Sequence, residues 1–433
     1  MSTPMPVPKK SFAVGAGLLA SALFLTGCSA TVESDPIVQA DVSTCDPTGV
    51  TITAQYASQG QAGAELGKAA LEEKYQGLTV DLRAAPEGTS YDELTQQVVA
   101  DIAAGSRPDV IMLGLDQLRF WVEKYSPQAI DTDSLRETYN RDYLDVGTVD
   151  GTTYVVPFQI SVPVLYTNTT LTESAGITEL PTTHSEVLEN ARTIQDETAV
   201  SAPIQIPRDN IAWWLVQAFV GSGGGTFVND DGTAGFDTEE GRAALEIYQT
   251  IGEEKLEEPV SWQDSISLFT QGNVAYFFAT PAIGATVTSS VGDSFDWTIS
   301  DMPIPDRGTA KLPAGGNGWM VLSDDACRAA FSNELIGTML DPEVITTSSL
   351  ANSYIPVDSA AQAELLQRPE SDGPLGYAWR YEGSPVAGSG WDGENLGRTN
   401  QYLQDMVQSM VDLGQDVNDV VPDTAARISA LVQ

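Results

Sequence analysis

The residue types that could do chemistry in this chain favour the binding of a small molecule over catalysis. A Ser-His-Asp triad would have to use His184, the single histidine of the sequence. His184 lies in the helix-start pattern Thr183-His184-Ser185-Glu186, so we expect it to be an exposed structural residue. No serine is framed by a Gly-x-Ser-x-Gly elbow with supporting partners. One histidine also cannot supply a His-based metal cage. We therefore predict a protein that is not an enzyme and that uses no cofactor and no metal.

Aromatic side chains near Gly/Ser-rich joins are the main candidates for ligand contact. They are Tyr91, Trp213, Trp214, Tyr354 and Trp391. Such rings offer a large contact area with a polar tip and could stack on the apolar face of a small ligand. Each one alone is better explained by core packing, but the set favours a cleft.

The charge of the chain limits the partners that it can have. It holds 60 acidic against 21 basic residues, and its formal net charge is -39. A surface this negative repels phosphate backbones, which excludes nucleic acid as a partner. Anionic lipid headgroups would repel it too, so attachment to a membrane needs an anchor other than a basic patch.

The first residues have the layout of a secretory signal that ends in a lipidation site. Lys9 and Lys10 precede the apolar run 12–25, which is too short for a membrane span of ~20 residues. Leu25-Thr26-Gly27-Cys28 resembles the bacterial lipobox, in which the cysteine is lipidated. We therefore predict a signal peptide at 1–27 and a lipid-anchored tether at 28–44, on the outer face of the cell membrane. The alternative is an ordinary signal peptide with a chance cysteine.

Two further cysteines, Cys45 and Cys327, remain if Cys28 is lipidated. They are either one disulfide pair or two isolated buried thiols. We expect the disulfide, because unpaired cysteines are a liability outside the cytosol.

The elements that must position these side chains begin as alternating strands and helices. Strands are predicted at Val50–Ala54, Leu78–Leu82 and Asp109–Leu113 from β-branched or continuous apolar runs. A helix is predicted over Ala64–Lys74, and another begins at the capping box Ser90-x-x-Glu93. This order predicts an α/β lobe with a mostly parallel sheet.

Later segments carry helix signals around the two adjacent tryptophans and at the carboxyl end. We predict a helix over Asn210–Val220, followed by a glycine-rich stop, and a helix capped by Asp237 that runs through Ile251. Ala326–Met339 reads as an amphipathic helix. Asn400–Gln433 reads as helical apart from a break at Pro422.

Several short motifs follow one another in a fixed order along the chain. They are Ser90–Pro108 ahead of the strand DVIML, Asp150–Phe158, Val164–Asn168, Phe269–Phe277, Met302–Pro305, Gly315-Gly316 and Ser353–Val357. This ordered set resembles the extracellular solute-binding lipoproteins of bacterial ABC importers, in the carbohydrate-type group. The resemblance covers nearly the whole mature chain.

Within that group the chain is most similar to glycerol-3-phosphate-binding proteins. The resemblance implies a set of ligand-binding residues: Tyr91, Asp116, Ser161, Trp213, Trp214, Thr280, Gly315, Gly316, Tyr354 and Arg398. Asp116 takes the place of a glutamate that contacts glycerol hydroxyls. Arg398 follows Gly397 at a helix start, where backbone N–H groups and a guanidinium could meet an anion.

The resemblance also implies the architecture. It implies an α/β, two-lobed periplasmic-binding-protein-like fold with a hinge and a ligand cleft between the lobes. Lobe 1 would comprise 45–158 plus 311–356, and lobe 2 would comprise 159–310 plus 357–433. The chain would cross between them near Phe158–Val164, Pro305–Leu312 and Tyr354–Ser359.

The implied function is capture of glycerol-3-phosphate or a glycerophosphodiester by a monomer and its delivery to ABC permease subunits. The main alternative is a binder of neutral mono- or oligosaccharides on the same fold. Two alternatives of other classes are a lipid-anchored cell-envelope hydrolase and an adhesion lipoprotein.

Overall fold

The computed structural model describes residues 40–391 and 395–432, which form a mixture of strands and helices. The strands are β1 Thr51–Tyr56, β2 Thr79–Ala84, β3 Val110–Gly114, β4 Thr148–Val149, β5 Thr152–Thr153, β6 Val155–Ser161, β7 Val164–Asn168, β8 Ile204–Gln205, β9 Tyr276–Ala279, β10 Trp297–Asp301 and β11 Gly315–Val321. The helices are α1 Gln61–Lys74, α2 Tyr91–Ala103, α3 Leu118–Tyr125, α4 Thr169–Ser174, α5 His184–Glu197, α6 Ala212–Ser222, α7 Glu239–Glu254, α8 Trp262–Thr270, α9 Gly284–Val291, α10 Ala326–Met339, α11 Pro342–Asn352, α12 Ser359–Leu365, α13 Gly376–Trp379, α14 Leu396–Leu413 and α15 Val417–Val432.

The first sheet has five strands in the order β2-β1-β3-β11-β6. Strands β2 and β3 run parallel to β1, while β11 runs antiparallel to its neighbours β3 and β6. Every residue of β3 and β6 is buried, as expected for strands covered on both faces. Helices α1, α2 and α10 pack against this sheet. The predicted mostly parallel sheet is therefore present, with one antiparallel strand inserted.

The second sheet has four strands in the order β10-β7-β9-β8. Strand β7 is antiparallel to both β10 and β9, and β8 is parallel to β9. Helices α4 and α8 contact this sheet, and α6, α7, α14 and α15 pack on one another beside it. Together the two sheets form the two lobes of a mixed α/β fold.

The chain passes from the first sheet to the second directly between β6 and β7. Only Val162 and Pro163 separate these strands. The passage follows Ser161, so the predicted boundary at 158 falls inside a strand of the first sheet. A later segment returns to β6, where Ile355 pairs with Ile160.

A disulfide joins Cys45 to Cys327 at the start of α10, with the two Cα atoms 5.6 Å apart. The sequence predicts this pair. Ala40 and Val42 already pack against the core, so the folded body begins before residue 45, the position at which the tether was predicted to end. The predicted signal peptide 1–27 and Cys28 lie outside the described residues. Among the helices of the described ranges, none has the length and apolarity to cross a bilayer.

Two helix boundaries differ from the sequence prediction for local reasons. The α7 cap is Thr238, whose side chain accepts from the Gly241 N–H, whereas Asp237 pairs with Arg242. The break in the carboxyl-terminal helical region is at Gly414, which has φ +59° and ends α14. Pro422 lies inside α15 instead. A left-handed glycine ends a helix, and that signal outweighs the proline here.

Candidate ligand-binding site

A cavity of about 360 Å³ opens between the two lobes. It is lined by nine of the ten residues for which the sequence predicts ligand contact. They are Tyr91, Asp116, Ser161, Trp213, Trp214, Thr280, Gly315, Gly316 and Tyr354. We call this space the first cavity. Residues that lie far apart in the sequence therefore meet in one place, as the prediction requires.

One side of the first cavity is the edge of the five-stranded sheet at which its parallel strands end. Asp116 follows the carboxyl end of β3, and Ser161 is the last residue of β6. Because β11 is antiparallel to both, it begins at this same edge with Gly315. In α/β sheets, ligands commonly bind at the carboxyl ends of the strands.

The two glycines at the start of β11 allow strand β6 and the tryptophan-bearing helix α6 to lie close to β11. A Cβ built on Gly315 would lie 2.7 Å from both Ser161 Oγ and Trp214 Cζ2. Gly316 has φ +97°, and a Cβ there would collide with the Gln159 carbonyl. Each position therefore requires glycine, one for space and the other also for its backbone conformation.

Two tyrosines are held by a chain of buried polar groups that runs into the first sheet. The Tyr91 and Tyr354 hydroxyls lie 3.5 Å apart. Asn317 Nδ2 donates to Tyr91 Oη at 2.8 Å and to Gln159 Oε1 at 2.6 Å. Gln159 Nε2 in turn donates to Ser348 Oγ at 2.6 Å. These bonds fix the tyrosine tips at the cavity wall.

The opposite wall is formed by indole rings and by the turn that follows β9. Trp214 is buried and donates from Nε1 to the Pro313 carbonyl at 3.1 Å, while Trp213 is half-buried. Trp262 stands at the first position of α8, behind the cap Ser261. The Thr280 carbonyl accepts from Tyr166 Oη at 2.9 Å. This wall offers flat apolar surface to a ligand.

Two carboxylates, Asp92 and Asp116, lie in the first cavity. Burial raises the pKa of Asp116 to about 7, and the charge of Asp92 raises it further. Burial also raises the pKa of Asp92, whose carboxylate accepts from Gln117 Nε2 at 2.7 Å. Among the described residues that line this cavity, none is Lys, Arg or His. The electrostatics of the site therefore favour hydroxyls or a cation over an anion.

Arg398, the tenth predicted residue, is not brought to the first cavity. It is exposed in the first turn of α14 and is absent from the described lining. Trp391, predicted as a stacking ring, is buried against Phe227 with ring centroids 5.1 Å apart. Its indole N–H donates to the Gly232 carbonyl at 2.8 Å. Trp391 thus supports a neighbouring loop.

The expectation that His184 is exposed is wrong. The side chain is only 6% exposed and lies edge-on to Phe219, with ring centroids 4.5 Å apart. Burial lowers the pKa of His184 to about 3, so the ring is neutral at pH 7. The capping box that Thr183 and Glu186 form is present as predicted, but the first helical position faces the core.

Sequence reasoning missed several polar or aromatic residues of the cavity lining, among them Asp92, Asn210, Trp262 and Asn352. Asp92 lies within the predicted capping box Ser90-x-x-Glu93 and directly follows Tyr91, a predicted ligand residue. Its position beside Tyr91 was the signal that could have identified it. Trp262 follows a serine with an aspartate three residues after that serine, which is also a helix start. Residues 40–391 and 395–432 hold no group of three or more His, Cys, Asp or Glu side chains that could bind a metal ion.

Comparisons with known proteins agree with this geometry. A model of the bacterial extracellular solute-binding protein family matches residues 53–344. A putative binding protein of Brucella abortus is 25% identical over 289 residues, which are 64% of this chain and 66% of that protein, slightly less than two thirds of its length.

Two solved structures have the same fold. The cyclic alpha-maltosyl-1,6-maltose binding protein from Arthrobacter globiformis has a TM-score of 0.74 at 17% identity, covering 88% of this chain and 99% of that one. UgpB from Mycobacterium tuberculosis, in complex with glycerophosphocholine, has a TM-score of 0.71 at 20% identity, covering 87% and 97%. Since the family model covers more than half of its residues, the chain belongs to the bacterial extracellular solute-binding proteins.

Proposed function

We propose that the protein binds a neutral polyhydroxylated solute, a mono- or oligosaccharide, in the first cavity. The observation that carries this proposal is the lining itself: three tryptophans and two tyrosines face two carboxylates, with no basic side chain among the described lining residues. Indole and phenol rings suit the apolar faces of sugar rings. Carboxylates accept hydrogen bonds from sugar hydroxyls.

The same lining argues against glycerol-3-phosphate, the solute that the sequence resemblance favours. A phosphate group in a cleft is normally met by Arg, Lys or a helix N-terminus. Arg398 is exposed outside the cavity, and Asp92 and Asp116 would repel the anion. The neutral-sugar alternative therefore becomes the better proposal.

A thermal-shift panel tests the choice of solute. The panel contains maltose, lactose, diacetylchitobiose, glycerol-3-phosphate and glycerophosphocholine, each followed by calorimetry where a shift occurs. We expect a sugar to raise the melting temperature, because a ligand that binds only the native state stabilises it by RT ln(1 + [L]/Kd). Stabilisation by glycerol-3-phosphate alone would contradict the proposal. Unchanged sugar after long incubation separates a binder from a hydrolase.

A glycerophosphodiester with a cationic head is the second candidate. The two carboxylates beside aromatic rings suit a quaternary ammonium, and a protein of similar fold has been solved with glycerophosphocholine. Here Asp116→Asn would weaken glycerophosphocholine more than it weakens any neutral sugar. Equal losses for both ligand types would count against the cationic head.

We also propose that the protein is a lipid-anchored monomer that delivers its solute to an ABC permease. The family is extracellular, and the proposed anchor is Cys28. Replacing it in Cys28→Ala should release the protein from membranes into the medium in cell fractionation, since acyl chains supply the attachment. A variant that still sediments with membranes would contradict the anchor.

A further inference from the structure

A second cavity of about 560 Å³ adjoins the first one, and Asp116 lines both. The first cavity, at about 360 Å³, is near the lower limit of ligand pockets, ~300–1,000 Å³. The second cavity is the larger of the two and extends in the direction of Arg119.

Like the first cavity, the second is built from both sides of the molecule. Residues around β3 and β4 contribute Leu118 and Val149, and the loop before α7 contributes Val228 and Asp230. The second cavity therefore continues the cleft between the lobes and is not a separate pit on the surface of one of them.

A short chain segment, residues 386–391, forms a wall of the second cavity and is bonded to Ala314, which lines the first. On one side Ala314 N donates to the Val386 carbonyl at 2.8 Å, and Val386 N donates to the Leu312 carbonyl at 2.9 Å. On the other side, with the Gln217 amide oriented to pair both groups, its nitrogen donates to the Ser389 carbonyl at 3.2 Å and its oxygen accepts from the Ser389 N–H at 2.6 Å. The wall is thus fixed at two points.

This wall passes close to Asp116, which lines both cavities. A Cβ built on Gly388 would lie 3.8 Å from Asp116 Cα and 3.9 Å from the Ala314 carbonyl oxygen. Glycine at this position keeps the space beside Asp116 clear of a side chain. A ligand in the first cavity that reaches Asp116 therefore stands at the entrance of the second.

The second cavity also combines polar and apolar groups, and unlike the first it includes an arginine. Asp230 supplies an acceptor, Ser389 a hydroxyl and Arg119 a donor, beside the apolar side chains of Leu118 and Val149. Such alternation of polar and apolar groups suits further hydroxylated rings.

We propose that the second cavity is a further subsite of one extended binding site, so that the solute is an oligosaccharide longer than a disaccharide which passes Asp116. This inference rests on the proposed carbohydrate function and specifies the size of its ligand. The two cavities then have different roles. The first binds one end of the oligosaccharide by aromatic contact, and the second binds the additional sugar units, so that affinity depends on the length of the ligand.

The test uses two sugar ladders, maltose to maltopentaose and diacetylchitobiose to its tetramer, titrated calorimetrically into the full protein. For the ladder that binds, we expect the tetrasaccharide to bind at least about tenfold tighter than the disaccharide. Equal affinity at every length would overturn the inference while leaving the carbohydrate function intact. If no member of either ladder binds, the carbohydrate function fails first, and the extended site fails with it.

A variant that fills the second cavity tests its location. Gly390 lines the second cavity and not the first, and among the described residues the atom nearest to a Cβ built there is Leu396 Cδ1 at 4.0 Å. We expect Gly390→Trp to abolish the gain with length and to leave disaccharide affinity within about twofold. Gly390→Ala is the matched control and should behave as the unmodified protein.

A second variant tests the same cavity independently, in case Gly390→Trp does not fold. Asp230 is exposed and lines only the second cavity, so Asp230→Ala should weaken only the longer sugars, by several-fold. Retention of the full length dependence in both Gly390→Trp and Asp230→Ala, with native circular dichroism, would place the longer sugars elsewhere.

Discussion

At the scale of single residues, the site combines stacking surfaces with carboxylates that carry no basic partner within the described lining. Trp213 and Tyr354 both line the first cavity, one from α6 beside the four-stranded sheet and one next to Ile355, which pairs with β6 of the five-stranded sheet. A solute between them contacts both lobes, so each ring contributes to binding and also to holding the lobes together.

The first prediction concerns these two rings. Trp213→Ala and Tyr354→Ala should each weaken solute binding by more than about tenfold, because each removes a flat contact surface of the first cavity. Isothermal titration with the sugar selected by the thermal-shift panel measures the loss. The matched variant Trp213→Phe keeps an aromatic ring and should lose less. Affinities like that of the unmodified protein in both alanine variants would remove these residues from the site.

The second prediction concerns the proton on Asp116. Its pKa in the folded protein, raised by burial to about 7, exceeds that of the unfolded chain, so the native state binds the proton more tightly. The stability that this proton provides is fully present below about pH 4 and is lost as the pH rises through 7. Asp116→Asn should therefore raise the unfolding free energy at pH 8 relative to the unmodified protein, by about 1 kcal/mol, since the half-buried carboxylate is partly solvated.

Urea denaturation at pH 5 and pH 8 measures this effect. Glu257, whose pKa burial raises to about 8, contributes a pH dependence of the same sign, but it is present in both proteins and cancels in the difference. An identical difference between Asp116→Asn and the unmodified protein at both pH values would show that Asp116 titrates normally.

At the residue level, the predicted positions agree with the structure where a motif determines a residue's neighbours and differ from it where only the fold determines them. Nine of the ten residues that the motif resemblance implied as ligand contacts line the first cavity. The same resemblance implied Arg398, supported by its place at a helix start, but the structure leaves its side chain exposed and outside the first cavity. His184 was assigned from a helix-start pattern, and its burial follows from packing on Phe219, a contact with no signal in the local sequence.

At the scale of elements, the start of β11 is the place where the five-stranded sheet contacts α6 of the other lobe. The absence of a side chain at Gly315 lets Trp214 lie against the strand. The absence of one at Gly316 lets its backbone lie against the Gln159 carbonyl. The pairing register between β11 and β6 is irregular just after this point, between Asn317 and Gly318. Such an irregularity bends a strand locally.

The third prediction tests the start of β11. Gly316→Ala should destabilise the protein by more than about 2 kcal/mol, because it forces a side chain into a left-handed backbone and against a carbonyl. Gly337→Ala is the control: Gly337 is exposed within α10, and no atom of the described residues lies within 4 Å of its Cβ position, so alanine there should stabilise the helix by up to about 1 kcal/mol. Denaturant unfolding of both variants measures the contrast. A stable Gly316→Ala protein with unchanged solute affinity would contradict the assigned role.

Elements with strong local signals were predicted well. Ala326–Met339 and Ala64–Lys74 carry helical periodicity, and both predicted segments lie in observed helices. The order of strands within each sheet is not encoded locally, and the antiparallel insertion of β11 between β3 and β6 depends on contacts across hundreds of residues. Short elements such as α3 and α8 lack the length that periodicity needs.

At the scale of the whole molecule, a disulfide ties the amino-terminal end of the folded body to a residue far along the chain. Cys45 and Cys327 are 282 residues apart in sequence. A bridge that closes so long a loop restricts the unfolded chain strongly.

The fourth prediction follows from that separation. The double variant Cys45→Ser/Cys327→Ser should lose about 2–5 kcal/mol of unfolding free energy, while its sugar affinity at 20 °C stays unchanged, because neither cysteine lines the first cavity. Guanidinium unfolding, with and without a reductant, measures the loss. If the reductant lowers the midpoint of the double variant as much as that of the unmodified protein, the stability does not come from this bridge.

The same disulfide also determines where a mechanical load enters the protein. A pull on the segment that precedes residue 45 reaches Cys45 and, through the sulfur–sulfur bond, is shared directly with the first turn of α10. The load therefore enters a helix packed on the five-stranded sheet and need not peel β1 from its neighbours. Tension on the amino-terminal segment is thereby passed to the lobe that contains the five-stranded sheet.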